Sequence, residues 1–208
     1  MRAMLSQNPL KTSFAILSIS FSMFLGACST NPATGERQFA SLMSPEKEKQ
    51  VGAQEHSKIL KQFGGLYDNK AVADYVQAVG QKVSKNTERP DVQYKFFVLD
   101  SPEANAFALP GGYVYITRGI LALASDESEL AAVLGHEVGH ITGRHSAERY
   151  SHSVVTGLGA TILGAAINSP DAARLAGVSA NLYLNSYSRS QENEADMLGV
   201  RYLSRAGY

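Results

Sequence analysis

His136 and His140 stand four residues apart, with Glu137 directly after the first, in the stretch LAAVLGHEVGHITGRH from Leu130 to His145. On a helix each residue advances about 100°, so the two imidazoles lie about 40° apart on one face, one turn from each other. Two imidazoles so placed can reach a single tetrahedral ion such as zinc, and the adjacent glutamate is close enough to take a proton from water bound there. A catalytic zinc takes three protein ligands and leaves one position to water. A third donor must therefore come from elsewhere in the chain.

Two stretches compete for that role. HEVGHITGRHS comes close to the pattern H-E-x-x-H-x-x-G-x-x-H, with Gly143 in register, but the ligand position holds Ser146. His145 falls one residue short, and on a continuing helix it would point about 180° from His136. That match fails. The second stretch is SYSRSQENEADMLG, Ser186 to Gly199, where Glu192 and Asp196 are four apart and share a helical face while Glu194 projects to the other side. A ligating glutamate followed one turn later by an aspartate that braces a ligand is a sensible pairing. Spacing alone favours Glu192 over Glu194 only modestly, because acidic residues on a solvated helix face are common.

Taken together, these motifs resemble the zinc metallopeptidase family of CAAX prenyl endopeptidases and HtpX-type proteases. The likeness rests on His136-Glu137-Val138-Gly139-His140, on Ser188-Arg189, and on Glu192-Asn193-Glu194-Ala195-Asp196. NAFALPGGYVYITRGIL, Asn105 to Leu121, is similar to the family's strand-and-helix lead-in, and the similarity runs from about Ser44 to the end. The nearest branch is that of soluble periplasmic and lipoprotein members concerned with outer-membrane protein quality control. The resemblance implies one zinc ion per chain held by His136, His140 and Glu192, with Glu137 as general base. Asp196 matches a position with a catalytic, proton-donating or supporting role; support is favoured, because a carboxylate beside a ligand readily orients an imidazole. The implied fold is α+β, a mostly helical zincin-like metallopeptidase domain with a small antiparallel β-sheet beside the helix of the H-E-x-x-H motif. The implied reaction is endoproteolysis of misfolded or unassembled envelope proteins. Members of this branch commonly run on into a helical-repeat region, so the chain reads as C-terminally truncated after Tyr208.

The elements that must position these residues are marked in the sequence. Ser44 and Pro45 start a helix that Gly64 stops, and a second helix is expected over Lys70 to Lys85. VQYKFFVLD, Val92 to Asp100, reads as a strand, and NAFALPGGYVYITRG reads as a hairpin bent at Pro110, Gly111 and Gly112. The strand near Asn105, Ala106 and Phe107 is a candidate edge for pairing with an extended substrate, with an interior strand as the equal alternative. Asp126 and Glu129 suggest a capping box for the helix of the H-E-x-x-H motif. SVVTGLGATILGAAI, Ser153 to Ile167, is too short to span a bilayer and reads as a buried core helix; two further helices are expected near 171–186 and 190–205.

At 208 residues the chain suits one medium domain. Its zero net charge offers no footprint for nucleic acid. Residues 1–27 combine a basic start, an apolar run and a small-residue exit, which is a secretory signal. The run ends in LGAC, Leu25 to Cys28, and resembles a bacterial lipobox, so Cys28 is expected to be lipidated and to tie the chain to a membrane. Ser29 follows, where an aspartate would retain a lipoprotein at the inner membrane, so the expected location is the outer membrane of the bacterial cell envelope, facing the periplasm. Residues 28–43 read as a tether and 44–208 as the metallopeptidase domain. Two rival functions remain: a lipoprotein chaperone or assembly factor with latent, gated protease activity, and zinc as a purely structural ion.

Overall fold

The computed structural model describes residues 29–166 and 186–208. The expected signal, Cys28 and, up to residue 185, the helix expected near 171–186 lie outside the described residues. Helix α1, Pro45–Gln62, begins as its sequence dictates: Ser44 Oγ accepts from Lys47 N, and Pro45 occupies the first turn, where a missing N–H costs nothing. Helix α2, Lys70–Ser84, is capped by Asn69, whose side chain accepts from Val72 N. Ser29–Thr30 (β1) and Arg37–Gln38 (β2) form a small antiparallel pair. The stretch expected to be a tether is packed, with Asn31, Ala33, Ala40 and Met43 all buried.

Strands β3 (Lys95–Leu99), β4 (Ala106–Leu109) and β5 (Tyr113–Thr117) make a three-stranded sheet in the order β3-β5-β4. The β4–β5 hairpin turns at Gly111 and Gly112, whose φ values of 80° and 99° suit glycine. A Cβ at Gly111 would fall 2.8 Å from the Glu48 carbonyl oxygen, so the hairpin tip seats on the first turn of α1. The α+β class holds, but this sheet is mixed, because β3 runs parallel to β5. Side-chain alternation then builds two cores. Phe96, Val98, Ala108, Val114 and Ile116 face α2 and the later helices, joining Val76, Val79, Val83, Leu134, Val138 and Leu198. Leu99, Phe107, Leu109 and Tyr115 face α1 and meet Met43, Val51 and Ile59.

After the short helix α3 (Arg118–Leu121) comes α4, Glu127–Thr142, which carries the H-E-x-x-H motif. Asp126 Oδ1 accepts from Glu129 N at 3.0 Å, as a cap should, while Glu129 Oε2 reaches one residue further back and accepts from Ser125 N at 2.6 Å. Helix α5, His145–Ala166, starts three residues beyond the end of α4. Its first turns are buried at Ala147 and Ser151, but Val155 is 38% and Leu158 59% exposed. Over the residues whose side chains are described, 145–158, the helix is thus partly exposed rather than wholly buried. No described helix is long and apolar enough to cross a membrane. Helix α6, Arg189–Ala206, opens with a complete capping box between Ser188 and Gln191 and closes on Gly207 in the left-handed conformation.

A buried ion cluster joins the chain's distant parts at the α4–α5 turn. Glu48 accepts from Arg89 Nη1 at 2.8 Å and from Arg144 Nε at 2.7 Å, and Arg144 also donates to the Met43 carbonyl. Arg144 has φ 58°, unusual for a residue with a side chain, and these bonds hold it there.

Candidate metal centre

The site lies where α4 packs against α6. Small residues on both helices let the backbones come close. A Cβ at Gly139 would meet the Ala195 carbonyl oxygen at 2.8 Å, and one at Gly135 would meet Gly199 Cα at 3.5 Å. The close approach brings Glu192, near the start of α6, over the turn of α4 that carries His136 and His140. Gly139→Ala should therefore push α6 outward, lowering stability by about 1–3 kcal/mol and drawing Glu192 away from His136 and His140, which would weaken any zinc held there. Denaturant melts and zinc titration of the variant check this; unchanged values in both would contradict the close-packing account.

Three donor atoms converge. His136 Nε2 is 3.0 Å from His140 Nε2 and 3.3 Å from Glu192 Oε2, and His140 Nε2 is 3.8 Å from the same oxygen. In a tetrahedral zinc site with bonds of 2.0–2.1 Å, ligand atoms stand about 3.3 Å apart. The donor set fits such an ion chemically as well. Asp196 Oδ1 lies 2.8 Å from His136 Nδ1 and accepts its hydrogen, which leaves the lone pair of a neutral His136 on Nε2. Nε2 and the Glu192 carboxylate then present electron pairs to the same point, an arrangement a cation resolves. His136, His140 and Glu192 are the one group of this kind among the described residues.

Electrostatics separate the roles available to each group. His140 is buried, and burial together with the charges of His145, His136 and Arg149 pushes its pKa down to about 2, so the ring is neutral. Glu137 is also buried. Without a cation nearby, burial first and the negative charge of Glu192 second push its carboxyl up to about 8. A carboxyl poised near neutrality beside a metal-capable cluster is suited to proton transfer.

A profile of the family described as Peptidase family M48 matches residues 70–208, which is most of the chain. The chain belongs to peptidase family M48. Among its relatives are the beta-barrel assembly-enhancing protease of Escherichia coli strain K12, 28% identical over 89% of this chain and 39% of that protein. That of Yersinia pestis is 31% identical over 69% of this chain and 31% of its own length. The mitochondrial metalloendopeptidase OMA1 of Schizosaccharomyces pombe is 29% identical over 84% and 52%. The M48 chain thus spans about a third to a half of the length of these relatives.

Other expected positions of the M48 chain fall as follows. Glu194 stays out of the three-residue cluster, but it is no solvated residue: it lies on the inner side of α6 against Asn31. Ala106 and Phe107 are in β4, an edge of the sheet, while the Phe107 side chain is buried against Phe63 and Tyr115. The Asn105 backbone is engaged with Thr117 on β5. Sequence reasoning missed Tyr187, and it weighed His145 only as a ligand. The Tyr187 ring stacks on His140 at 3.8 Å between centroids, its hydroxyl lies 2.9 Å from Ser146 Oγ, and the Arg149 guanidinium covers it at 3.8 Å. His145 does not ligate with the cluster, as expected, yet its Nδ1 is 2.8 Å from His140 Nδ1.

Proposed function

We propose that the chain is the catalytic domain of a zinc-dependent endopeptidase, with one zinc ion held by His136, His140 and Glu192. The observation that carries this reading is the convergence of two imidazole nitrogens and a carboxylate oxygen beside a buried Glu137. Three donors suit a catalytic ion better than a structural one, which is normally closed by four. Bound there, zinc would supply Lewis acidity, acidifying water and polarising the scissile carbonyl.

The chain's own residues do the rest. Glu137 takes the proton from the attacking water and delivers it to the leaving amine. Asp196 holds His136 with Nε2 toward the ion, and Tyr187 covers one face of His140, limiting how that ring can turn. Strand β4, last in the sheet order, is the element that could pair with an extended substrate backbone around Asn105, Ala106 and Phe107. Pairing through main-chain groups tolerates varied side chains, which suits unfolded substrates.

The substrates of this reading are misfolded or unassembled envelope proteins, and the anchor is a lipid on Cys28 in the outer membrane, facing the periplasm. Relatives named as beta-barrel assembly-enhancing proteases support the substrate class. The test is incubation of the purified chain with a denatured outer-membrane β-barrel protein or casein. Cleavage should appear, stop with a chelator and return with added zinc. A zinc-loaded chain that binds the substrate without cutting it would favour the assembly-factor reading instead, and cleavage that persists after metal removal would reject the metallopeptidase reading.

A further inference from the structure

The geometry points to a buried relay of positioning residues, His145, Glu194 and Asn31, that fixes the tautomer of His140 and so presents its Nε2 lone pair to the ion. This inference rests on the reading above that His140 is a ligand. His136 has a carboxylate directly behind it; His140 has another imidazole.

Two imidazole nitrogens 2.8 Å apart share one hydrogen, so either His140 Nδ1 donates to His145 Nδ1 or the reverse. What stands behind His145 decides between them. His145 is 1% exposed, and its Nε2 lies 3.3 Å from Glu194 Oε1, off the line of a good hydrogen bond but facing a carboxylate oxygen. A carboxylate there favours the hydrogen on Nε2, since two facing lone pairs would repel. Asn31 sets the polarity of the far end. Its Oδ1 accepts from Ala33 N at 2.9 Å and from Thr34 N at 3.3 Å, so its Nδ2 is turned to Glu194 Oε1, to which it donates at 2.5 Å.

The directions then follow in sequence. Asn31 donates to Glu194, and Glu194 keeps the hydrogen of neutral His145 on Nε2. His145 Nδ1 is left to accept from His140 Nδ1–H, and the His140 lone pair falls on Nε2, the atom that faces His136 and Glu192. The backbone makes room for this arrangement. Gly143 and Arg144 turn the chain so that His145 folds back toward His140, and a Cβ at Gly143 would fall 2.5 Å from His145 Nε2 and 2.8 Å from Glu194 Oε1. Asn31 brings the segment just after Cys28 into the support of the metal site.

The experiment is zinc affinity of the full chain by competition with a chromophoric chelator, for His145→Phe, His145→Asn and Glu194→Gln. Asparagine keeps an acceptor near the place of Nδ1, and phenylalanine removes it. His145→Phe should bind zinc roughly 10- to 100-fold more weakly, the range for partners that orient a ligand. His145→Asn should stay close to the parent, with Glu194→Gln in between. A purely packing role would not produce this order, since phenylalanine fills the space better than asparagine. A second readout is nitrogen-15 NMR of the zinc-loaded parent, which should show His140 carrying its hydrogen on Nδ1 and a coupling across the bond to His145 Nδ1; it decides the matter even where His145→Phe fails to fold. Equal affinities in all three variants, or a zinc-loaded His140 with no such hydrogen, would overturn the relay. His136→Ala separates the two readings. If it leaves zinc affinity intact, the metal site itself is misplaced. If it abolishes binding while the His145 and Glu194 variants bind normally, only the relay fails.

Discussion

Glu137→Gln should keep its zinc and lose proteolysis. The substitution preserves shape and one oxygen but removes the group that takes and returns the proton, so kcat/KM on an unfolded substrate should drop by about 10²- to 10⁴-fold. Zinc content should stay near one per chain, because Glu137 is not among the three converging donors. The same change leaves a signature in the metal-free protein. Burial and Glu192 raise the Glu137 carboxyl from 4.5 to about 8 in the folded chain. Between those values the folded state binds more protons than the unfolded state, so this group's contribution to stability falls as pH rises and is gone above about pH 8. Glu137→Gln should be missing that part of the pH dependence in thermal melts recorded with chelator. Full proteolysis by the variant would reject the assignment of the base.

Glu192→Ala should have the largest effect on metal. It removes a direct donor, so zinc affinity should fall by more than about 100-fold, beyond the range of residues that only orient ligands. Its side chain is 41% exposed, so circular dichroism of the metal-free variant should match the parent. Glu194→Ala should bind zinc better than Glu192→Ala but less well than the parent, because Glu194 acts only through His145. Zinc titration of the two variants side by side gives the order, and a reversed order would exchange the roles of the two glutamates.

What could be read from the residues was local. The serine and aspartate caps start their helices where side-chain oxygens meet free N–H groups, and the two glycines bend the hairpin where positive φ is required. Helical spacing also placed Glu192 and Asp196 on one face, and both now lie beside His136. Features that depended on distant partners were not legible. Strand periodicity cannot say which neighbour a strand takes, so the parallel β3–β5 pairing was hidden. His145 was judged on a continuing helix, whereas α4 ends at Thr142 and Arg144 takes a left-handed turn held by Glu48, 96 residues earlier in the chain. Asn31 looked like linker because its partner Glu194 is 163 residues away. The apolar composition of α5 suggested burial, but composition does not reveal that Val155 and Leu158 face outward.

The most direct test is an anomalous difference map from zinc-loaded crystals, recorded on both sides of the zinc absorption edge. The account predicts one peak about 2.0–2.2 Å from His136 Nε2, His140 Nε2 and a Glu192 carboxylate oxygen. No peak among those three atoms in zinc-replete crystals, or a peak bound by other residues, would contradict it.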